Sequence, residues 1–116
     1  MDSRTRFEME LNNPGFDEDY LAKLSALSEA EREDSFYTDL SFGTAGIRGK
    51  MGVGPNRLHK YTIRKVSYAV ARYCLDLSDQ PSIVIAFDSR NNSVEFSQEA
   101  AATLASILSA ITFRMP

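Results

Sequence analysis

The chain has 116 residues, 43% of them hydrophobic, which is enough for one modest core, so we expect a single domain, or part of one, over residues 1–116. Its only cysteine, Cys74, excludes an internal disulfide and fits a reducing, cytoplasmic environment. No apolar run approaches the length of a membrane span, and the acidic N-terminus is not typical of a signal peptide, so no membrane partner is expected.

The net charge of −3 conceals an uneven distribution. Residues 1–39 contain eleven acids and four Lys or Arg, whereas residues 40–75 contain seven Lys or Arg and no acid. A basic block of this kind predicts an anionic partner. Because the whole chain is acidic, a small phosphorylated ligand is favoured over nucleic acid. The alternative is that the basic helix within this block pairs with the acidic N-terminal segment across the fold.

The N-terminal third is predicted to be helical. Residues 1–19 are expected to form a flexible or short-helical extension, with the first thirteen residues frayed. Asp17 is suited to cap a helix, and Ser28 and Glu31 are typical of a capping box that begins a second helix, through about Asp34. The first of these helices would carry leucines at a spacing of three residues: Leu21, Leu24 and Leu27.

The rest of the chain is predicted to alternate strands and helices. Residues 36–42, FYTDLSF, have the aromatic content of a strand or extended segment. A helix is expected from Thr62 to Leu77, and SIVIAF, residues 82–87, predicts a strand buried on both faces. Asn92 or Ser93 would cap a last helix. The apolar stripe of the first helix is Ile63, Val66, Val70, Tyr73, Cys74 and Leu77, and that of the second is Ala100, Leu104, Ile107, Leu108 and Ile111.

This order of elements favours an α/β fold with at least some parallel strand pairing. Asp88, Ser89 and Arg90 follow the predicted buried strand, at the sheet edge where α/β proteins usually bind ligands. A glycine-rich loop follows the other predicted strand. We therefore expect the two loops to meet at one end of the sheet.

The glycine-rich loop is SFGTAGIRGKMGVGPNR, residues 41–57, which we call the glycine segment; it holds five of the six glycines. It matches neither the Walker A loop nor the Gly-x-Gly-x-x-Gly pattern. One interpretation is an anion-binding loop whose backbone N–H groups and Arg48 guanidinium bind phosphate oxygens. The other is a plain hairpin with its turn at Gly54, Pro55 and Asn56. Both interpretations remain open on the residues alone.

A longer stretch carries a family resemblance. DLSFGTAGIRGKMGVGPNRLHKYTIRK, followed by IVIAFDSRNNS, closely resembles the first domain of the α-D-phosphohexomutases, the phosphoglucomutase and phosphomannomutase enzymes. The similarity is closest to the phosphoglucomutase branch that includes phosphopentomutase-like members, and it extends from about Tyr20 to Ala110. It implies a mixed sheet sandwiched between helices. The domain would be incomplete at its C-terminus, because the chain stops where a third strand should begin.

The resemblance also implies a reaction, in which a phosphoserine donates its phosphoryl group to a sugar monophosphate and a bisphosphate intermediate returns the other phosphate. The phosphoryl group thereby moves between the 1- and 6-positions, or the 1- and 5-positions, with the help of Mg²⁺ and a sugar bisphosphate activator. Arg48 matches the arginine near the phosphoserine, and Asp88 and Arg90 match a motif beside the same cleft. The loop that frames the phosphoserine is matched by Gly43, Thr44, Gly46 and Gly49.

The family's serine loop and metal loop do not occur in this chain, so no catalytic nucleophile and no metal ligand is expected within it. We therefore expect a truncated and inactive fragment of a mutase. The alternative is a non-catalytic module that binds phosphate or a protein. Truncation would leave a sheet edge unpaired, which predicts self-association.

The sequence also predicts the location or role of four other side chains. His59 is expected at the surface, and Cys74 is expected in the core. Lys50 is either a phosphate contact or an exposed hairpin lysine. Ser89 is expected to make local hydrogen bonds and not to act as a nucleophile.

Overall fold

The computed structural model describes residues 2–43, 46–86, 92–108 and 110–114, and its contacts divide the chain into two units, Met1–His59 and Lys60–Pro116. The single domain over residues 1–116 stays a prediction. The first unit contains α1 (Ser3–Leu11), α2 (Glu18–Ser25), α3 (Glu29–Phe36), β1 (Phe42–Gly43) and β2 (Gly46–Ile47). The second contains α4 (Lys60–Leu77), β3 (Ser82–Ala86), α5 (Ser93–Ala105) and β4 (Ala110–Arg114).

The three N-terminal helices begin at side-chain caps. The Asp17 carboxylate accepts a hydrogen bond from the backbone N–H of Tyr20 at 2.8 Å, as predicted for α2. The capping box of Ser28 and Glu31 is present at the start of α3. Asp2 caps α1 in the same way, so the predicted fraying of the first thirteen residues is wrong.

Aromatic packing between α1 and α3 explains a second difference from the sequence prediction. The rings of Phe7 and Phe36 meet edge to face at 5.5 Å, and both side chains are buried. The prediction of a strand or extended segment over residues 36–42 is wrong at Phe36, which is the last residue of α3, and within that range only Phe42 lies in a strand, β1. Burial against Phe7 outweighs the strand preference of the segment.

The second unit contains a β-α-β arrangement. The strands β3 and β4 are parallel, with Ser82 opposite Ala110 and Ala86 opposite Arg114, and α5 connects them. Parallel pairing is therefore present, as the order of elements predicted. The last strand, β4, begins at Ala110, which is where the sequence predicted that a third strand should begin, and it extends to Arg114. The apolar stripe predicted to continue along the helix to Ile111 is wrong at its end, because the helix stops at Ala105 and Ile111 lies in β4.

The core of the second unit lies between α4, α5 and β3. Ala71, Leu104 and Leu108 are buried, and six partly buried side chains pack on them: Val70, Cys74, Leu75, Ile83, Ile85 and Ile107. The predicted stripe of α4 is wrong at Tyr73 and Leu77, which are 64% and 69% exposed. The small residue Ala71 occupies the buried side because α5 packs closely there.

The strand β3 is covered on one face, not on two as predicted. Ile83 and Ile85 pack on the core, whereas Val84 between them is 60% exposed, as the two-residue period of a strand requires. Among the described residues, the strands form two separate pairs, antiparallel β1–β2 and parallel β3–β4. One mixed sheet between helices is therefore not seen in the described part of the chain.

Candidate functional site

The first half of the glycine segment contains the loop residues that the family resemblance matches to the phosphoserine site. The backbones of Gly43 and Gly46 are opposite each other in the antiparallel pair β1–β2, and Thr44 lies outside the described residues. Arg48 directly follows β2 and is exposed, with no hydrogen bond or ion pair to any residue that the structure describes. Its guanidinium is therefore available to an anion from solvent.

Gly49 allows a close approach of the chain to a neighbouring side chain. A Cβ at this position would lie 2.5 Å from Leu40 Cδ2, so any larger residue requires Leu40 to move. Lys50 comes next and is exposed, with its Nζ 3.8 Å from Asp34 Oδ2. The first half of the segment thus presents two cations, Arg48 and Lys50, in exposed positions on either side of a glycine.

The second half of the glycine segment forms the predicted turn. The N–H of Arg57 donates to the carbonyl of Gly54 at 3.2 Å, which closes a four-residue turn with Pro55 and Asn56 at its centre. Beyond the turn the chain lies alongside itself in a parallel bridge between Met51 and Leu58, in which the N–H of Leu58 donates to the carbonyl of Lys50 at 2.8 Å. The predicted turn at Gly54, Pro55 and Asn56 is therefore confirmed, but residues 50–58, which we call the hairpin, are a looped turn and not an antiparallel β-hairpin.

The last turn of α3 binds this hairpin through several hydrogen bonds. The backbone N–H of Asn56 donates to the Ser35 carbonyl at 3.0 Å, and the Asn56 side chain donates to the Asp34 carbonyl at 3.0 Å. Arg57, whose side chain is 11% exposed, forms an ion pair with the Asp34 carboxylate. The hydrogen bond from Arg57 lowers the pKa of Asp34, and the positive charges of Arg57 and Lys50 act in the same direction.

Gly54 is the most tightly constrained residue of the hairpin. Its φ of 104° is strained for any residue with a side chain, and a Cβ would lie 2.8 Å from Ser35 Cβ and 3.0 Å from the Ser35 carbonyl oxygen. Both of its backbone polar groups bond to side chains. The N–H donates to the Tyr20 hydroxyl at 2.9 Å, and the carbonyl lies 2.8 Å from His59 Nε2.

Tyr20 connects this glycine to two helices. Its hydroxyl donates to Glu10 Oε1 at 2.6 Å, its ring stacks on Phe16 at 4.5 Å, and the ring of His59 lies 5.0 Å away. The sequence pattern does not single out Tyr20. An aromatic residue in the first turn of a helix gives no sign of a contact 34 positions further along the chain.

His59 is not the surface residue that the sequence predicted. A carbonyl oxygen only accepts, so Nε2 carries a proton and donates to Gly54. The side chain is partly buried beside Tyr20, and this burial lowers its pKa from the ordinary value of 6.5, while the hydrogen bond to Gly54 acts in the opposite direction. Cys74, by contrast, packs on the core as predicted.

The basic block is neutralised only in part. Lys50 and Arg57, which precede the basic helix, pair with Asp34 of the acidic N-terminal segment, whereas the predicted pairing of the helix itself with that segment stays a prediction. Arg64 pairs with Glu99 at 2.8 Å within the second unit. Three exposed cations have no ion pair with any described residue: Arg48, Lys65 and Arg72. Paired cations and exposed cations without an ion pair to the described residues therefore occur together in the block.

The second predicted part of the site is at Asp88, Ser89 and Arg90, which lie outside the described residues. The expected meeting of this loop with the glycine segment stays a prediction. In the part of the chain that the structure describes, no three acidic, His or Cys side chains form a group that would hold a metal ion.

No helix among the described residues is both long enough and apolar enough to span a bilayer. This finding concerns the helices α1 to α5 and leaves the position of the protein in the cell a matter of proposal.

Comparison with known proteins finds relatives of the glycine segment and of the second unit. Residues 39–113 match the family model "Phosphoglucomutase/phosphomannomutase, alpha/beta/alpha domain I". A phosphoglucomutase of Staphylococcus haemolyticus is 52% identical over 65 residues, which are 56% of this chain and 12% of that protein. A phosphoglucomutase of Staphylococcus aureus strain USA300 is 47% identical over 78 residues, which are 67% of this chain and 14% of that protein.

No solved structure matches the chain. The matched part spans only 12–14% of the length of these curated relatives, within the N-terminal domain of the family. Since the family model covers well over half of the chain, this protein belongs to the phosphoglucomutase/phosphomannomutase family, through its α/β/α domain I.

Proposed function

We propose that this chain is the N-terminal part of a phosphosugar mutase, an intramolecular phosphotransferase that acts on a phosphorylated sugar. The phosphoryl group moves between the 1- and 6-positions, or the 1- and 5-positions, through a phosphoserine and a sugar bisphosphate. The observation that supports this most directly is the domain I match over residues 39–113, which includes Arg48, an exposed side chain with no ion pair to any residue that the structure describes. In this proposal the parent enzyme is a cytoplasmic phosphoprotein that uses Mg²⁺ bound outside this chain.

The contribution of this chain is the placement of positive charge. Phosphoryl transfer depends mainly on positioning and on stabilisation of negative charge, and an arginine held beside a shaped backbone supplies both. Arg48 is the proposed phosphate contact, and Gly43, Thr44, Gly46 and Gly49 form the loop around it. Asp88 and Arg90 are proposed to support the same cleft. The mixed sheet between helices, completed by residues beyond this chain, is the proposed setting of these loops.

The isolated chain is proposed to be inactive, because the groups of a phosphoryl-transfer site act together and one arginine does not replace the set. The test is an assay of the purified chain with glucose 1-phosphate, a sugar bisphosphate activator and Mg²⁺. We expect no turnover above the background, and clear mutase activity would contradict the proposal. The mass in solution, measured in the same preparation, tests the proposed self-association through a strand edge.

Binding tests the role of Arg48 without requiring turnover. Arg48→Lys should weaken the affinity for glucose 1-phosphate about tenfold or more, because an ammonium does not reproduce two parallel hydrogen bonds and charged hydrogen bonds contribute roughly 1.5–3 kcal/mol. Arg72→Lys is the matched control, since Arg72 is also exposed and has no ion pair among the described residues. Equal affinities of the wild-type chain and Arg48→Lys would remove Arg48 from the site.

A non-catalytic phosphate-binding module is the second candidate, since an exposed arginine beside a glycine-rich loop binds phosphate whether or not a reaction follows. It uses the same cation and predicts the same loss in Arg48→Lys. The two candidates differ in the activity of a longer protein that contains this domain: a mutase loses turnover with the substitution, and a binding module has no turnover to lose. A protein-interaction module predicts no affinity for the sugar phosphate at all.

A further inference from the structure

The glycine segment carries two exposed cations at its middle and its tightest contacts near its C-terminal end. Arg48 precedes the hairpin, Lys50 begins its first arm, and Gly54 lies in its turn. The arms are joined by hydrogen bonds, from the N–H of Leu58 to the Lys50 carbonyl at 2.8 Å and from the N–H of Gly52 to the Leu58 carbonyl at 3.3 Å. The position of the first arm therefore depends on the position of Leu58.

Leu58 lies between Gly54 and His59, and both of these residues are fixed. Tyr20 accepts from the Gly54 N–H and is itself held by its hydrogen bond to Glu10 and by stacking on Phe16. His59 donates to the Gly54 carbonyl and packs beside the Tyr20 ring. Tyr20 and His59 thus bind the backbone N–H and the carbonyl of Gly54, which is buried.

We propose that Tyr20 and His59 are positioning residues, which hold Gly54 and thereby fix Lys50–Gly52, so that Lys50 and Arg48 are presented together to a phosphate group. This inference rests on the proposed function for its ligand, a sugar phosphate, but the positioning itself concerns contacts within the first unit. Neither residue touches the ligand. Both act through Gly54, Leu58 and the first arm of the hairpin.

The first of two experiments needs no ligand. Amide hydrogen exchange is measured in the 116-residue chain and in Tyr20→Phe, which keeps the ring and removes the hydroxyl that Gly54 uses. We expect exchange to be about tenfold faster at the three donating amides of this network, those of Gly54, Gly52 and Leu58, with smaller changes in α3. Tyr37→Phe is the matched control, because Tyr37 is 61% exposed and has no hydrogen bond from its side chain to any described residue.

Two variants of His59 separate the hydrogen bond from the ring. His59→Phe keeps an aromatic side chain and loses the donor to Gly54, whereas His59→Gln keeps a donor of similar reach. We expect faster exchange at the Gly52 and Leu58 amides in His59→Phe and near-normal exchange in His59→Gln. Unchanged exchange at these two amides in both Tyr20→Phe and His59→Phe overturns the inference, and so does an equal increase throughout the first unit, which would indicate only a loss of global stability.

The second experiment measures the affinity for glucose 1-phosphate in the same variants. Tyr20→Phe and His59→Phe should bind roughly threefold more weakly or worse, as is typical of residues that act at a distance, while Tyr37→Phe and His59→Gln bind like the wild type. If the wild type binds and Tyr20→Phe and His59→Phe bind equally well, the positioning role in binding is overturned. If the wild type does not bind, the proposed function fails, and the exchange measurements still decide whether the two residues fix the hairpin.

Discussion

The hairpin of the glycine segment and the apolar cluster of the second unit are stabilised in different ways. The hairpin is fixed by single polar atoms: one hydroxyl on the Gly54 N–H, one imidazole nitrogen on its carbonyl, and one carboxylate on Arg57. The cluster around Leu104 contains only aliphatic side chains and one cysteine. The hairpin should therefore respond to the loss of individual atoms, and the cluster to the loss of buried volume.

The largest expected effect tests the cluster. Leu104 is 3% exposed and belongs to the core between α4, α5 and β3, so Leu104→Ala removes buried apolar surface and leaves a cavity. We expect the free energy of unfolding of the second unit to fall by about 2–5 kcal/mol, measured by urea denaturation. Leu77→Ala is the matched control on α4, because Leu77 is 69% exposed. Similar losses in the two variants would mean that Leu104 is not part of the core.

The second effect tests the hairpin. Gly54→Ala places a Cβ against the Ser35 carbonyl at a φ of 104°, which combines backbone strain with a clash that no side-chain rotation relieves. We expect a loss of about 1–3 kcal/mol in the free energy of unfolding of the first unit. Gly15→Ala is the control, since a Cβ there meets only the Asn13 side chain. If Gly54→Ala is as stable as Gly15→Ala, the strained conformation is wrong.

The same contrast explains what the sequence predicts well. Caps and apolar periodicity are local patterns, so Asp17, Ser28 and the cluster residues Leu104 and Leu108 are predicted correctly. The turn at Gly54 is also predicted, because glycine followed by proline and asparagine is itself a local signal. Local signals are sufficient wherever a contact lies within a few residues along the chain.

Long-range polar contacts escape sequence prediction for a physical reason. Tyr20 and Gly54 are 34 residues apart, and nothing in the helix around Tyr20 indicates an acceptor for a distant N–H. His59 is expected at the surface because a lone histidine has no visible partner in the sequence, yet a backbone carbonyl supplies one. The likeness of the glycine segment to a family motif indicates the candidate site, and it gives no indication of what holds the segment in shape.

A smaller effect concerns the ion pair at the base of the hairpin. The pKa of Asp34 is lowered by Arg57, so its contribution to stability is present above the ordinary value of 3.8 and is lost as the pH falls through the lower value in the folded state. Asp34→Asn should therefore be less sensitive to acid than the wild type, when unfolding is followed from about pH 5 to about pH 2. Asp19→Asn, in a surface pair with Lys23, is the control and should change this pH dependence less.

The smallest effect is the titration of His59, the only histidine in the chain. Because burial lowers its pKa below 6.5, the unfolded chain takes up this proton first as the pH falls, and the free energy of unfolding decreases through the region of pH 6.5 and below. The measurement is the difference in unfolding free energy between the wild type and His59→Gln at several pH values between about 7.5 and 5.5, a subtraction that removes the contribution of the carboxylates. We expect the advantage of the wild type to shrink towards the acid end of this range, since glutamine keeps a donor to Gly54 and does not titrate. A difference that is constant, or that grows with acid, would mean that the histidine is not held neutral beside Tyr20.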